Sequence, residues 1–156
     1  MSAVLSIGSN VGDRLAMLQL AVDLLAPTAL SPVYETAPVG GVEQDDYLNA
    51  VLVCDLDAAT AWERAQQAEA AAGRERVVRW GPRTLDVDLV IADGPVPDGL
   101  VLPHPRAHER AFVLRPWLDV DPDAVLPGQG PVRDLLGVEV GDAAVRRRDD
   151  LRLLRP

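Results

Sequence analysis

Apolar residues recur along this chain with two different periods, and the switches between them mark out a series of strands and helices. Ala3 to Ile7 is a short apolar run that ends at Gly8-Ser9-Asn10, which predicts a first strand. From about Asp13 the apolar positions Leu15, Leu18, Val22 and Leu25 fall at helical spacing. After Pro27 a second strand is expected through Val33-Tyr34-Glu35 and a third from Tyr47 to Leu56, joined by the Gly-, Pro- and acid-rich stretch Ala37 to Asp46. That loop is long for a hairpin, and loops of this size in compact domains tend to carry function. Ala58 to Ala72 is rich in Ala, Glu and Gln, strong helix formers, and stops at Gly73, a suitable C-terminal cap. In Thr84 to Ala92, Leu85, Val87, Leu89 and Ile91 alternate with Thr84, Asp86, Asp88 and Val90. A fourth strand here buries the first set and turns both aspartates to the other side.

The order strand, helix, strand, strand, helix, strand predicts an α+β fold with a ferredoxin-like βαββαβ core: an antiparallel sheet with helices packed on it, followed by C-terminal additions. Those additions comprise a turn at Asp93-Gly94-Pro95, a compact polar segment after Val101-Leu102-Pro103, a short buried element over Phe112 to Leu118 and a small helix over Val132 to Leu136. The tail from Gly141, residues 141–156, carries Arg146-Arg147-Arg148 followed by Asp149-Asp150; it suggests no function, and a solvated helix face is the expectation. No internal repeat stands out. Residues 1–156 are expected to form one domain, long enough to bury a core without metals or disulfides as staples.

Composition narrows the function classes. A net charge of -9 opposes a nucleic-acid or membrane-surface partner, since either needs an extended basic face. The fifteen basic residues are all Arg, so neither a Walker-type phosphate loop nor Schiff-base chemistry on a lysine is available. Cys54, the single cysteine, sits in Val51-Leu52-Val53-Cys54 and reads as a small buried hydrophobe. The N-terminus lacks a basic leader region and no apolar run reaches spanning length, so the expected location is the cytoplasm; a monomer is the default expectation.

Chemistry concentrates in Arg79-Trp80-Gly81-Pro82-Arg83-Thr84-Leu85-Asp86-Val87-Asp88. Two carboxylates on one strand face repel unless they hold a hard cation, and Mg2+ typically takes one or two protein carboxylates and completes its shell with water and phosphate oxygens. Arg74, Arg76, Arg79 and Arg83 supply guanidinium forks that suit phosphate oxygens. Asp-x-Asp beside arginines also fits an ordinary surface ion-pair network. The Gly81-Pro82 turn favours a site, because it fixes Trp80 and Arg83 near the strand's start. Gly8 and Gly12 are read at a strand-to-helix turn, where exposed N–H groups or plain turn chemistry would both explain them. Aromatic residues are few, and Tyr34, Tyr47, Trp80 and Phe112 lie in or beside polar segments. Tyr47 and Asn49 place a ring and a carboxamide two apart on one strand face, a pairing that suits either a flat heterocycle or core packing. Trp62 and Trp117 read as core. His104 and His108 are four apart, but Pro105 biases His104 away from helical geometry, so His104 suits a phosphate donor better than a zinc ligand, with Arg110 beside it.

Taken together, Gly8-Ser9-Asn10 with Gly12, Tyr34-Glu35-Thr36-Ala37-Pro38, Asp46-Tyr47-Leu48-Asn49-Ala50, Arg79 through Asp88, and Leu102-Pro103-His104-Pro105 followed by Arg110-Ala111-Phe112 make the chain resemble the 6-hydroxymethyl-7,8-dihydropterin pyrophosphokinases of folate biosynthesis. The match runs from Ile7 to about Pro127. It implies transfer of a diphosphate from ATP to the hydroxymethyl group of the reduced pterin, with AMP released and two Mg2+ ions held by Asp86 and Asp88. By the same matching, Tyr47 and Phe112 sandwich the pterin, Asn49, Thr36 and Val39 meet its polar edge, and Trp80 lines the site. Gln66, Glu69, Arg74, Arg76, Trp80, Arg83, His104 and Arg110 hold ATP, and Arg74, Arg83 and Asp88 serve the transfer step. Two alternatives stay open on the residues alone: a diphosphokinase or nucleotidyltransferase for another hydroxyl acceptor, and an RNA-binding module of the same strand order, whose aromatic-glycine motif is absent.

Overall fold

A computed structural model describes residues 1–37, 45–73, 84–138 and 145–156. The strands are β1 (Ala3–Ser9), β2 (Ala29–Leu30), β3 (Tyr34–Thr36), β4 (Tyr47–Cys54), β5 (Asp86–Ala92), β6 (Val125–Leu126), β7 (Gly130–Pro131) and β8 (Val145–Arg147). The helices are α1 (Arg14–Leu25), α2 (Ala58–Ala71), α3 (Ala111–Val120) and α4 (Val132–Val138), with a 3-10 turn at Ala107–Glu109. The main sheet runs β5-β1-β4-β3-β8, with β2 also paired to β4, and its pairings are antiparallel. The core strands β1, β3, β4 and β5 therefore follow the ferredoxin-like arrangement that their sequence order predicts.

The two faces of this sheet have different covers. Leu5, Ile7, Ala50, Leu52, Val87 and Leu89 share one face with Leu18, Val22 and Leu25 of α1 and Ala61, Ala65 and Ala68 of α2. Val4, Val51 and Val90 point the other way, into a second core built by Val113, Leu114 and Trp117 of α3 with Val132 and Leu136 of α4. Capping sets the helix starts: Asp13 accepts from the Ala16 N–H at 3.1 Å and Asp57 from the Thr60 N–H at 2.9 Å. At the far end of α2, Gly73 adopts φ 68°, a conformation that glycine takes without steric cost.

Several sequence expectations need correction. Ile91 was expected on the face of Leu85, Val87 and Leu89, but the register shifts between Val4 and Leu5, so Val4 pairs with Ile91 and Leu5 with Leu89. The extra residue, Val90, is a bulge that turns the rest of β5 over, and Ile91 packs in the second core. Gly8 lies inside β1 and not at the following turn. Short β2 went unread because Ser31-Pro32 interrupts the pattern. Pro32 has no N–H to give, and Ser31 bridges the break: its N–H donates to the Val51 carbonyl at 3.0 Å and its hydroxyl accepts from the Val51 N–H at 2.8 Å.

The tail is the largest departure. In place of a solvated helix face, β8 adds a strand beside β3, in the register Tyr34↔Arg147, Glu35↔Arg146 and Thr36↔Val145. Beyond it, Leu151 and Leu153 pack on the first core, and Gln19 on α1 binds both the N–H and the carbonyl of Leu154. Glu35, at 8% exposure, is the charge that makes this pairing specific. Its carboxylate accepts from Arg14 at 2.7 Å, from Arg148 at 3.0 Å and from Arg146. The Arg14 hydrogen bond, with the charges of Arg14 and Arg148, outweighs burial and holds this carboxyl below its ordinary 4.5.

The stability this supplies is complete above the unfolded-chain value and is lost as pH falls through the lower folded value. Glu35→Gln is expected to lower unfolding stability at pH 7 by about 2 kcal/mol, the scale of a hydrogen bond to a charged group. The deficit should shrink on going below pH 4.5, which denaturant titrations at pH 7 and pH 3.5 would register. A pH-independent deficit would contradict the account.

Candidate active site

The site is built on the sheet face that α3 covers. Antiparallel partners point to the same side, so the register alone brings Asp86, Gly8 and Asn49 into one row and Asp88, Ser6 and Val51 into the next. Tyr34 pairs with Asn49 and Thr36 with Tyr47, which extends the same surface onto β3. Acids therefore stand at the β5 end of the row and amide, hydroxyl and ring groups at the β3 end, with a glycine between.

Gly8 is where a missing side chain matters. A Cβ there would stand 2.8 Å from Asn49 Oδ1 and 3.4 Å from Tyr47 Cδ1, so the amide and the ring lean into space that only glycine leaves. Asn49 is 3% exposed, and its Nδ2 donates to Thr36 Oγ1 at 2.7 Å. That bond fixes the carboxamide and leaves its oxygen over Gly8. Thr36 is likewise buried. A flat ring carrying amide-like edges is the ligand such a floor suits.

At the acidic end, β5 is an edge strand whose outer side is tied down from two directions. The Glu69 carboxylate on α2 accepts from the Val87 N–H at 2.9 Å. The His104 N–H donates to the Val90 carbonyl at 2.8 Å. Glu69, expected among the ATP ligands, thus holds the strand that carries the aspartates, a task that no local pattern signals. Gln66, three residues earlier on α2, is exposed.

His104 lies outside the 3-10 turn that contains His108, as Pro105 predicts. Its Nδ1 accepts from the Arg106 N–H at 3.2 Å, which leaves Nε2 as the donor of the neutral ring. Burial lowers its pKa from 6.5; the Asp88 charge opposes this, while Arg110 and Arg106 reinforce it. Arg110 comes within 3.6 Å of Asp88 and stands 5.5 Å over the Phe112 ring, so the cation links the acid to the aromatic. Asp88 is thus brought beside the segment that carries His104, Arg110 and Phe112.

Asp86 and Asp88 fit a hard cation. They share one face, and the Asp88 side chain is 42% exposed, so solvent and a ligand can reach it. Among the described residues no cluster of three or more His, Cys, Asp or Glu could hold a metal by itself. Two carboxylates with an open remainder suit Mg2+ completed by water and phosphate oxygens. Val39, Arg74, Arg76, Trp80 and Arg83 fall outside the described residues. Trp117 and Cys54 are buried core residues, as expected, and no described helix is long and apolar enough to cross a membrane.

Two supports were missed by the sequence reading. Tyr34, buried at the back of the site, donates its hydroxyl to Asp119 on α3, and Asp119 in turn accepts from Arg115 at 3.2 Å. Asn10 and Arg14 donate to the carbonyls of Asp45 and Asp46, both at 3.0 Å, just before Tyr47.

In metal-free protein, NMR titration of the His104 ring is expected to give a midpoint below 6.5. Asp88→Asn removes the charge that opposes burial and should move that midpoint further down. An upward move would refute the placement of Asp88 beside this imidazole.

Known proteins match this arrangement over most of its length. The family model of 7,8-dihydro-6-hydroxymethylpterin-pyrophosphokinase (HPPK) matches residues 4–122. The chain is 49% identical to the 2-amino-4-hydroxy-6-hydroxymethyldihydropteridine pyrophosphokinase of Mycobacterium tuberculosis, with 98% of this chain and 89% of the relative covered. It is 56% identical to the Mycobacterium leprae enzyme of the same name, over 81% of this chain and 75% of that one. Among solved structures, a Plasmodium falciparum HPPK-DHPS triple mutant with pteroate superposes with a TM-score of 0.64 at 14% identity, covering 87% of this chain and 42% of that longer one, a likeness of fold. With the family match spanning β1 to the end of α3 and including the acid row, Asn49 and the His104–Phe112 segment, the chain belongs to the 7,8-dihydro-6-hydroxymethylpterin-pyrophosphokinase family of folate biosynthesis.

Proposed function

We propose that this protein transfers the diphosphate group of ATP to the hydroxymethyl oxygen of 6-hydroxymethyl-7,8-dihydropterin and releases AMP. The observation that carries the reading is the single row Asp86, Gly8, Asn49, which puts a carboxylate and a buried amide on one face with one strand between them and so supports a phosphate end and a ring-binding end.

The acceptor ring lies over Gly8, between Tyr47 and Phe112, with Asn49 and Thr36 on its polar edge. Its hydroxyl oxygen forms a bond to the β-phosphorus as the bond from that phosphorus to the oxygen bridging the α-phosphorus breaks. AMP leaves with that oxygen, and the hydroxyl proton goes to Asp88. No covalent enzyme intermediate is needed, so positioning and charge neutralisation do most of the work. Asp86 and Asp88 would hold two Mg2+ ions, which when bound neutralise triphosphate oxygens and make the β-phosphorus more electrophilic. His104, neutral and donating through Nε2, and Arg110, already beside Asp88, serve as phosphate donors; Gln66 and Glu69 face the nucleotide from α2. Arg74 and Arg83 take the charge of the transfer, and Arg76, Trp80 and Val39 complete the two subsites. These last five roles rest on the family resemblance. The acidic surface supports a monomer with no nucleic-acid or membrane partner.

Incubation with Mg-ATP and the pterin is expected to yield AMP in step with the pterin consumed; pterin-dependent ADP would mean attack at the γ-phosphorus and would overturn the reading. Asp86→Ala and Asp88→Ala should each lose at least roughly a thousandfold in turnover, the several kcal/mol a catalytic metal supplies, with the fold intact by circular dichroism. Gly8→Ala places a methyl group 2.8 Å from Asn49 Oδ1. It is expected to raise the KM for pterin by about a hundredfold or more and to leave ATP affinity near normal, as befits a contact on one substrate only. An equal effect on both substrates would place the ring elsewhere.

A further inference from the structure

The tail strand β8 lies beyond the family-matched segment, yet it and the residue that follows it carry two of the three arginines on Glu35, Arg146 and Arg148. We infer that β8 is a positioning element for the acceptor half of the site: Arg146 and Arg148, acting through Glu35 and Arg14, fix the chain on both sides of residues 38–44 and so set where Thr36, Tyr47 and Asn49 stand. The inference rests on the proposed binding of the pterin by those three residues.

The geometry runs in two directions from one carboxylate. On the entry side, Glu35 is the residue before Thr36, and β8 pairs with β3 across Tyr34, Glu35 and Thr36, continued by the Arg148 N–H donating to the Val33 carbonyl at 2.8 Å. Alternation places Arg146 directly opposite Glu35 and Arg148 two residues on, so both reach the carboxylate from the face that α1 covers, while Arg147 points to the other. On the exit side, Arg14 uses the same NH1 group to donate to Glu35 at 2.7 Å and to the Asp46 carbonyl at 3.0 Å. Arg146 also approaches the Asp46 carboxylate at 3.9 Å, and Asn10 holds the Asp45 carbonyl at 3.0 Å. Asp46 immediately precedes Tyr47, and Tyr47 pairs with Thr36. Three guanidinium groups therefore bind one buried carboxylate, and two of them also touch the residue that leads into the pterin strand.

Such an arrangement is costly if it only glues a tail in place. Leu151 and Leu153 on the first core, and the Gln19–Leu154 bonds on α1, already dock the tail without it. Its distinct product is a fixed spacing between the two ends of the acceptor segment, and misplacement of a binding group by about 1 Å can cost a hundredfold.

The test compares Arg146→Ala/Arg148→Ala with Arg146→Lys/Arg148→Lys and wild type in the AMP-release assay, varying pterin and ATP separately and recording thermal melting alongside. The alanine pair should raise the pterin KM at least roughly tenfold with the ATP KM within about twofold, and the lysine pair, which keeps the charges, should recover most of the loss. If the alanine pair does not fold, Arg146→Ala decides, since that side chain is 63% exposed and leaves two arginines on Glu35; a selective rise of about threefold is then expected. Folded variants with an unchanged pterin KM, or with both KM values rising together as melting temperature falls, would overturn the inference while leaving the reaction standing. Absence of pterin-dependent AMP from wild type would overturn the proposed reaction, and this inference with it.

Discussion

The antiparallel register of β1 between β5 and β4 is the constraint on which the rest depends. Gly8 is paired to Asp86 on one side and to Asn49 on the other, and that pairing puts a carboxylate and a buried amide on the same surface. A slip of one residue would send every side chain of a strand to the opposite face. Apolar burial prevents it, because Leu5, Ile7, Ala50, Leu52, Val87 and Leu89 would then leave the helix-covered core. Chemistry on one face is thus enforced by hydrophobicity on the other. The bulge at Val90 comes just beyond the acids, so it can aim Ile91 into the second core without disturbing Asp86 and Asp88.

What the sequence made legible follows from which signals are local. Alternation in Leu85 to Leu89, helical spacing in Leu15 to Leu25, and the Ala-rich run ended by Gly73 are properties of adjacent residues, and the core elements they predict stand where expected. The faces of Asp86, Asp88 and Asn49 followed from period two alone. Bulges and interrupted strands do not announce themselves in that way. Val90 looks like any strand residue, and Ser31-Pro32 looks like a break although Ser31's hydroxyl carries the ladder across it. Gly8 was read as a turn because glycine commonly marks one; its reason lies across the sheet, in the volume that Asn49 and Tyr47 occupy. The tail misled for a related cause. Arg146-Arg147-Arg148 reads as solvated until its partner is known, and Glu35 sits more than a hundred residues earlier. An acid in the middle of an otherwise buried strand was the available sign that arginines had to arrive from somewhere.

Charge is distributed with the same economy. The chain is strongly acidic, and several of its described arginines stand beside particular acids. Glu35 receives three of them, is nearly closed to solvent and has its carboxyl held low; ionised throughout the neutral range and saturated with donors, it suits a structural anchor. Asp88 meets a guanidinium only at 3.6 Å and remains open to solvent, so its charge is available to a ligand. Two carboxylates in such different settings have different work available to them: one is closed off by its arginines, the other stays open to solvent.

Arg110 links these ideas to substrate binding. In the described structure it offsets Asp88 and stacks over Phe112, so it joins the acidic end of the row to an aromatic ring. A cation bound at Asp86 and Asp88 would compete with Arg110 for the Asp88 carboxylate, since like charges avoid a shared ligand at short range. The released guanidinium would then be free for phosphate oxygens while its stem stays anchored beside Phe112. His104 supports that exchange: it is kept neutral by burial, so it adds a donor near Asp88 without a second positive charge to oppose the incoming metal. Under the proposed function, Arg110 would thus pass from Asp88 to phosphate oxygens as the metal arrives.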